Sequence, residues 1–382
     1  MIKGCECILE ILLQFVKGVR IEKLITLSCA IYTVIKGSKI NQYQLAIDSG
    51  KPTKQKSKEQ TIRRLLSSFP ITQVLYAKIV LYIFQTNNKL DLIIDRTNWK
   101  FGKTSINFFV LSFKFHSVSI PLYWIMLDNK GGSSSSNNRI SLISWLLDNF
   151  KDYTISSLMA DREFPATEFI SYLMKMNIPF LMRSKGNVNI KTKNTSISMK
   201  KLYGYMLQQN YSLFRKKVRK IFGCDLYLSI RKNNNNELVY LISNQFHEDS
   251  FLLYAERWKI EVMFSNFKTK GFDLESTKIT CLIRLSNLFM LLSLCYCMCC
   301  KLGIIKNFLI KIPIKNIKYG DEIRFTPEVT LYKYGFNFLK SLFSASINNS
   351  KVAFNQLIRI IINDIDLSSY KYSKISILMR IL

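Results

Sequence analysis

The segment KLDLIIDR, residues 89–96, places a run of Leu and Ile between charged residues and closes on Asp95. Two similar runs follow, INFFVLSFKF at residues 106–115 and SIPLYWIML at residues 119–127. Each run is short, rich in β-branched and aromatic residues, and separated from the next by turn residues. We therefore predict three consecutive β-strands in this part of the chain.

The pattern that follows alternates between helical and strand periods. Apolar residues have helical spacing at 140–150 and at 165–176, and short apolar runs at 154–160 and 178–184 are typical of buried strands. The segment DNKGGSSSSNNR at 128–139 is a low-complexity loop. The resulting order is β-β-β-α-β-α-β followed by a helix. This order predicts an α/β fold, a ribonuclease H-like domain with a mixed five-stranded sheet flanked by helices.

A β-rich insertion at residues 187–236 separates this sheet from the helix that follows. It contains short polar strands and interleaves basic side chains, among them Arg215, Lys217 and Arg219, with aromatic ones. Basic and aromatic residues together suit a surface that follows a nucleic-acid backbone and stacks on bases. An edge hairpin that carries Lys for solubility would have a similar composition, so both interpretations stay open.

The regions on either side of the α/β domain are predicted to be mainly helical. Residues 1–88 have helical apolar spacing and a basic segment, which fits a DNA-binding domain or a plain helical bundle. The α/β domain itself is expected at 89–302. Residues 303–382 include helical spacing at 332–343 and 355–364, and dimerisation is one role for such a region.

The charge of the chain indicates a polyanionic partner. Lys and Arg number 55 against 26 Asp and Glu among 382 residues, a formal net charge of +29. A charge of this size repels itself in the folded state unless a polyanion is close by. We expect nucleic acid, because phosphate contacts from Lys and Arg dominate its affinity. An anionic membrane surface is the competing interpretation.

Neither a membrane span nor a cysteine metal site is predicted. The most apolar segment, LSNLFMLLSLCYCMCCKL at 285–302, contains Asn287 and is shorter than the ~20 residues of a typical span, so we predict a buried helix. The nine cysteines match no zinc-site spacing. Their odd number, without a secretory signal, favours a reducing, intracellular compartment.

Two aspartates close predicted strands, and a glutamate follows on a helix. Asp95 closes the first strand and Asp161 follows the fourth, and these strands are neighbours in a ribonuclease H-like sheet. Glu261 could complete a cluster of three carboxylates. Such a cluster repels itself until hard divalent cations neutralise it, and two Mg²⁺ ions, or Mn²⁺ in their place, suit phosphodiester chemistry. A lone strand-end aspartate is more often a turn or cap residue.

The helix expected at 254–268, YAERWKIEVMFSNFK, carries four polar residues on one narrow arc. At ~100° per residue they fall within about 60° of one another: Tyr254, Arg257, Glu261 and Lys268. The apolar residues form a separate, core-facing stripe: Leu252, Leu253, Ile260, Met263, Phe264 and Phe267. Trp258 is expected in the core or beside the polar arc. On spacing alone, a partly exposed helix with ordinary ion pairs fits as well.

Written as Y-x2-R-x3-E-x6-K, the four polar residues resemble the signature of the IS4 family of bacterial insertion-sequence DDE transposases. DRTNWKFG around Asp95 and ADREF around Asp161 are similar to the family's first two acidic blocks. The resemblance extends over roughly residues 60–345. It implies a ribonuclease H-like catalytic domain with a β-rich insertion. It also implies cut-and-paste transposition, in which metal-dependent hydrolysis nicks the element ends and the 3′-hydroxyl joins target DNA.

Carried over to this chain, the resemblance gives each motif residue a role. The three carboxylates would bind the Mg²⁺ ions. Tyr254 and Arg257 would hold the DNA near the cut, by stacking and by gripping a phosphate, and Lys268 would contact the terminal backbone. The resemblance further implies double-stranded DNA as partner, both element ends and target, a homodimer in the synaptic complex, and a location in the bacterial cytoplasm at the nucleoid.

Two other functions stay open on the sequence alone. A decayed copy could bind element ends without catalysis, and another ribonuclease H-like nuclease could act on a different nucleic acid. The presence of all three acids argues against decay at the active site. The basic helical segment and the complete four-residue signature favour a transposase.

Overall fold

The computed structural model describes the chain between residues 3 and 344 with short gaps. The described residues are 3–37, 40–47, 53–101, 104–127, 134–192, 195–208, 213–268, 270–319 and 322–344. The expected helix at 355–364 and the first part of the expected loop, 128–133, lie outside them.

Two units make up the structure. One is Thr86–Met263, which we call the sheet unit, and the other is Met1–Gln85 with Phe264–Leu382, which we call the helical unit. The division into domains at residues 88 and 302 stays a prediction.

Helices and strands follow the order that the sequence predicts. In chain order they are α1 Lys3–Phe15, α2 Ile21–Ile35, α3 Gln42–Ile47, α4 Gln55–Ser67, α5 Gln73–Phe84, β1 Lys89–Phe101, β2 Thr104–Phe115, β3 Val118–Met126, α6 Ser136–Asn149, β4 Thr154–Ala160, α7 Thr167–Lys175, β5 Phe180–Ser184, β6 Asn189–Lys191, β7 Ser196–Ser198, α8 Met199–Tyr203, β8 Leu213–Ile221, β9 Cys224–Lys232, β10 Leu238–Ser243, α9 Ser250–Ala255, α10 Trp258–Phe267, α11 Leu282–Leu309, β11 Ile314–Tyr319, β12 Glu322–Pro327 and α12 Leu331–Ser344.

The first five strands of the sheet unit have the ribonuclease H-like arrangement. They lie in the order β3-β2-β1-β4-β5. β1 is antiparallel to β2 and parallel to β4, and β4 is parallel to β5. Helix α6 connects β3 to β4, and α7 connects β4 to β5. Leu92, Ile93 and Ile94 of β1 are all buried, as expected for a central strand covered on both faces. The predicted fold class is confirmed.

The insertion extends this sheet instead of forming a separate layer. β10 pairs antiparallel with β5, and the sheet continues β10-β9-β8-β6-β7 to a total of ten strands. The prediction of a five-stranded sheet therefore covers its first half only. β10 pairs with the edge of β5 that the first five strands leave open, and the insertion strands then extend the sheet from β10.

The single helix expected at 254–268 is broken between Ala255 and Trp258. The backbone N–H of Arg257 bonds to the carbonyl of Tyr254, 3.0 Å away, and that of Ile260 bonds to the carbonyl of Arg257, 3.1 Å away. These bonds span three residues instead of four, which tightens the turn. The two helices α9 and α10 therefore do not share one helical phase.

The break changes which apolar side chains are buried. The α10 residues of the predicted stripe are in the core: Ile260, Met263, Phe264 and Phe267. Leu252 and Leu253, before the break, are 69% and 38% exposed, so their assignment to the core was wrong. Trp258 is 61% exposed and also lies outside the core.

In the helical unit, α11 is the central helix and contacts α2, α4, α5 and α12. The five helices before residue 86 agree with the all-helical N-terminal region that the sequence predicts. α11 is longer than the predicted segment 285–302. It is the described helix that is long and apolar enough to cross a membrane, yet 89% of its most apolar window is buried inside the protein. The prediction of a buried helix is confirmed.

The cysteines of α11 act as small apolar side chains. Cys295, Cys297, Cys299 and Cys300 are all buried. Burial raises the pKa of Cys297 to about 12, so its thiol stays neutral.

Two glycines allow α11 and α12 to approach closely. A Cβ placed on Gly335 would lie 1.9 Å from the carbonyl oxygen of Cys299, and one on Gly303 would lie 1.9 Å from that of Leu331. Both obstacles are backbone atoms, which a side-chain rotation cannot move. The packing of the two helices therefore requires glycine at these positions.

We predict that Gly335→Ala lowers the free energy of unfolding of the helical unit by about 1–3 kcal/mol or more, because the helices must separate to admit the methyl group. Urea unfolding followed by circular dichroism measures it. Gly204→Ala is the control, since no described atom lies within 4 Å of the added Cβ. Equal stability of the two variants would contradict the close approach.

Candidate active site

The two predicted aspartates leave neighbouring parallel strands side by side. β1 and β4 pair with Ile94 opposite Ala160, and that is where their pairing ends. Asp95 and Asp161 are the next residues. β1 continues past Asp95 paired with β2, where Asp95 lies opposite Val110. Both carboxylates therefore emerge at the same place on the sheet.

Arg257 connects the first aspartate to the predicted glutamate. Its Nη1 donates to Oδ2 of Asp95 at 3.0 Å, and its Nη2 donates to Oε1 of Glu261. Arg257 is 9% exposed. Burial alone would lower the pKa of this guanidinium, but neighbouring Tyr254, Asp95 and Glu261 more than offset it and the pKa is raised. Arg257 is therefore a fixed buried cation between two acids.

Asp161 has a different set of partners. The hydroxyl of Tyr254 donates to the carbonyl oxygen of Ala160 at 3.3 Å and lies 3.4 Å from Oδ1 of Asp161. Burial raises the pKa of Tyr254, so the phenol keeps the proton that it donates. Nη1 of Arg183 is 4.0 Å from the same Oδ1. The guanidinium of Arg257 lies over the ring of Tyr254, 5.7 Å from its centroid, and links the two sets of contacts.

The carboxyl group of Asp95 has a raised pKa. Burial raises it most; the guanidinium of Arg257 and the backbone N–H of Arg96 lower it, and the charges of Asp161 and Glu261 raise it again, to about 6. An opposite charge in contact does not fully offset burial next to two other acids. The site therefore has an excess of negative charge that one arginine does not neutralise.

The sequence analysis did not single out the ion pair that joins the two acidic motifs. Nε and Nη2 of Arg96 each donate to one oxygen of Glu163, both at 2.6 Å. Arg139 is also buried, and its Nη1 donates to the carbonyl oxygen of Phe164 at 2.6 Å. Arg96 stands beside Asp95 in DRTNWKFG, and Glu163 stands in ADREF. A basic residue directly after Asp95 and an acidic residue two positions after Asp161 were the available signal.

The other predicted DNA-binding residues stand outside α9, α10 and the segments that carry the two aspartates. Lys268 belongs to the helical unit, where its Nζ is 3.1 Å from Oε1 of Glu275. Lys217 on β8 is exposed, and Arg219 on the same strand is half-buried. Only the backbone of Arg215 is described. Their contacts with DNA stay predictions.

The donor set of the site fits a divalent cation. Among the described residues no group of three His, Cys, Asp or Glu is close enough to hold one ion as the side chains stand. The guanidinium of Arg257 lies between Asp95 and Glu261 and is bound to both carboxylates. Carboxylate oxygens are the ligands that Mg²⁺ prefers, and the pKa of Asp95, which burial raises most, shows that Arg257 does not fully offset the cost of this buried charge.

Comparison with known families decides what this arrangement belongs to. Residues 87–298 match the family described as "Transposase DDE domain". This chain belongs to the transposase DDE domain family. The matched range begins just before β1 and ends within α11, so it contains all three acids, Tyr254 and Arg257.

Other comparisons add little to the family match. No curated protein matches the chain. One solved structure, titled "Cryo-EM structure of piggyBac transposase synaptic complex with hairpin DNA (SNHP)", is similar at 12% identity and a TM-score of 0.38, covering 98% of this chain and 81% of that one. At this level the similarity supports no conclusion about this chain.

We predict that Asp95→Asn stabilises this DDE-family protein at high pH. A raised carboxyl pKa favours the folded state below the ordinary value of 3.8 and loses that contribution as the pH rises through about 6. The shift of the carboxyl pKa from 3.8 to about 6 corresponds to about 3 kcal/mol of folding free energy. Asn does not ionise, so its advantage over Asp should grow by about 2 kcal/mol between pH 4.5 and pH 8, the rest of the change lying below pH 4.5.

Urea unfolding of both proteins at the two pH values measures this difference. Asp152→Asn is the control, because Asp152 is exposed and its carboxylate stays hydrated. A difference between Asp95→Asn and the parent that does not change with pH would contradict the assigned cost of the buried carboxylate.

Proposed function

We propose that the chain is a cut-and-paste DNA transposase of the IS4 type. It would hydrolyse phosphodiester bonds at the element ends in a Mg²⁺-dependent reaction and join the freed 3′-hydroxyl to target DNA. Membership of the transposase DDE domain family supports the general class. The observation that carries the proposal is that Arg257 joins Asp95 to Glu261 while Asp161 follows β4, the parallel neighbour of the strand that carries Asp95.

The three acids would hold the divalent ions that transposase DDE domains generally use. When bound, Mg²⁺ activates the attacking oxygen and neutralises charge on the leaving oxygen. The role of the protein would be to hold Asp95 and Asp161 in fixed positions at the sheet and to bring Glu261 close to them on α10. The excess negative charge of the site is then a property that catalysis requires.

Arg257 and Tyr254 would exchange partners when DNA binds. A guanidinium binds phosphate with the same planar fork that binds a carboxylate, so a DNA phosphate could draw Arg257 away from the acids. Tyr254 would then be free to stack on a base near the cut. Lys268 would contact the terminal DNA backbone, and Arg215, Lys217 and Arg219 would contact the DNA from β8.

The working assembly that we propose contains two copies of the chain and DNA. The partners would be duplex DNA at the element ends and at the target, with a homodimer in the synaptic complex. A net charge of +29 supports a polyanionic partner. The bacterial cytoplasm, at the nucleoid, is the location proposed.

We predict that Asp161→Asn and Glu261→Gln abolish cleavage but retain DNA binding, because they remove metal ligands without removing basic side chains. A labelled duplex that carries an element end is incubated with Mg²⁺ or Mn²⁺, and products are separated on a denaturing gel beside a gel-shift titration. Glu168→Gln, an exposed acid on α7, is the control and should cleave like the parent.

Each result separates the functions considered. Cleavage by Glu261→Gln, free of contaminating nuclease, would overturn the assigned triad. Tight binding by a parent protein that never cleaves would favour a non-catalytic end-binding protein. Cleavage of unrelated nucleic acid at the same rate as element ends would favour a general nuclease.

We also predict that Arg257→Gln increases the affinity of the DNA-free protein for Mn²⁺ by about tenfold, equivalent to about 1.4 kcal/mol. The guanidinium competes with the ion for Asp95 and Glu261, and glutamine carries no charge. Titration of free Mn²⁺ by electron paramagnetic resonance at pH 8 measures it. Arg231→Gln, an exposed arginine on β9, is the control. Unchanged or weaker Mn²⁺ binding by Arg257→Gln would exclude this competition.

A further inference from the structure

We propose that Arg96 and Glu163 form a positioning pair that sets the distance between Asp95 and Asp161, and that Glu163 is not itself a metal ligand. The inference rests on the proposed metal-dependent function. It assigns to two further residues a role in building the site before any metal or DNA arrives.

The pair connects β1 to the loop after β4, at the point where the parallel pairing of these two strands ends. The parallel pairing of β1 with β4 ends at Ile94 and Ala160. Beyond that point the backbone of β1 is paired on one side only, and Asp161 has left β4. Arg96 and Glu163 stand one and two residues past the two aspartates. Their contact therefore links β1 to the loop after β4 beside the two aspartates, where backbone hydrogen bonds between β1 and β4 have ended.

The geometry of the pair is that of a rigid fork. Nε of Arg96 donates to Oε1 of Glu163 and Nη2 donates to Oε2, each at 2.6 Å. The two side chains are 13% and 27% exposed. Two parallel charge-assisted bonds fix orientation as well as distance, which a single lysine contact would not do. The pKa of Arg96 is raised chiefly by its bonds to Glu163.

Both carboxylate oxygens of Glu163 accept bonds from one guanidinium, whereas Asp95 and Glu261 each accept a single guanidinium bond, from Arg257. A ligand role for Glu163 would require both bonds to Arg96 to break. Arg96 also contacts the first acid directly, since its backbone N–H donates to Oδ1 of Asp95 at 2.8 Å. One arginine thus orients Asp95 through its backbone and the loop of Asp161 through its side chain.

A second set of contacts holds the loop after β4 from the other side. Nη1 of Arg139, which is 4% exposed, donates to the carbonyl oxygen of Phe164 at 2.6 Å, and its Nε donates to Oγ of Ser134 at 3.0 Å. The ring of Phe164 stacks on that of Phe109 in β2, with centroids 5.4 Å apart. The residue after Glu163 is therefore anchored in the core. The loop that contains Asp161 is therefore held at two residues, at Glu163 by Arg96 and at Phe164 by Arg139 and Phe109.

The test compares Mn²⁺ affinity, measured by electron paramagnetic resonance on the full chain, in Arg96→Gln, Glu163→Gln and the charge-exchanged double variant Arg96→Glu with Glu163→Arg. Residues that orient metal ligands typically change metal affinity 10–100-fold. We expect each single variant to lose that much, and the double variant to recover most of it. The cleavage rate should fall in the single variants while the KM for DNA stays unchanged.

The control is the exposed ion pair of Lys220 with Asp225, 2.8 Å apart on β8 and β9. Its charge exchange should change neither Mn²⁺ affinity nor cleavage. Far-UV circular dichroism and thermal unfolding establish that each variant is folded, and Arg96→Lys, which keeps the charge but loses the fork, should show an intermediate loss of Mn²⁺ affinity.

Each outcome decides the proposal. Unchanged Mn²⁺ affinity in both single variants would overturn it. Loss of Mn²⁺ binding in Glu163→Gln as complete as in Asp161→Asn, without recovery in the double variant, would make Glu163 a ligand and overturn it as well. A parent protein that binds no Mn²⁺, with or without DNA, would overturn the proposed metal chemistry itself, a result that the first two outcomes do not produce.

Discussion

The site depends on two ion pairs that the guanidinium of Arg257 forms, one with Asp95 and one with Glu261. A buried carboxylate is costly unless a cation is close to it, and even with Arg257 in contact the pKa of Asp95 stays at about 6. The chain therefore maintains a cluster of acids that is only partly neutralised. Such a cluster lowers stability and creates a strong preference for added positive charge. A divalent cation would satisfy that preference, and a DNA phosphate would bind the guanidinium of Arg257 once it leaves the acids.

The surrounding structure keeps this unfavourable cluster in place. The break between α9 and α10 places Arg257 beside the acids, and charged contacts hold the break against the sheet: Lys114 lies 3.4 Å from a carboxylate oxygen of Asp91 and 3.6 Å from one of Glu256. Lys259 contacts Glu256 and donates to the carbonyl oxygen of His116 at 2.8 Å. Arg96 and Glu163 also join β1 to the loop after β4, beside the two aspartates. Rigid supports of this kind are what precise ligand placement requires.

The sequence predicted the central sheet well and the helix before Glu261 poorly. Within β1 and β4, residues 92–94 and 158–160 are consecutively apolar and buried, as expected for a central strand covered on both faces, and this pattern needs no tertiary information. The break after Ala255 has no glycine or proline to announce it. At the break, Glu256 and Arg257 contact residues far away in sequence. A prediction that assumed one continuous helix therefore wrongly placed Leu252 and Leu253 in the core. The extension of the sheet by the insertion and the partners of Arg96 and Arg257 also depend on residues far apart in sequence.

The most direct measurement is diffraction at the manganese absorption edge from crystals of the protein grown with Mn²⁺ and DNA that carries an element end. The account predicts anomalous density in contact with carboxylate oxygens of Asp95 and Asp161, with Arg257 moved from the acids to a DNA phosphate. Anomalous density only at other places would contradict it. Mn²⁺ bound at the acids while Arg257 still joins Asp95 to Glu261 would contradict the exchange of cations on which the account is built.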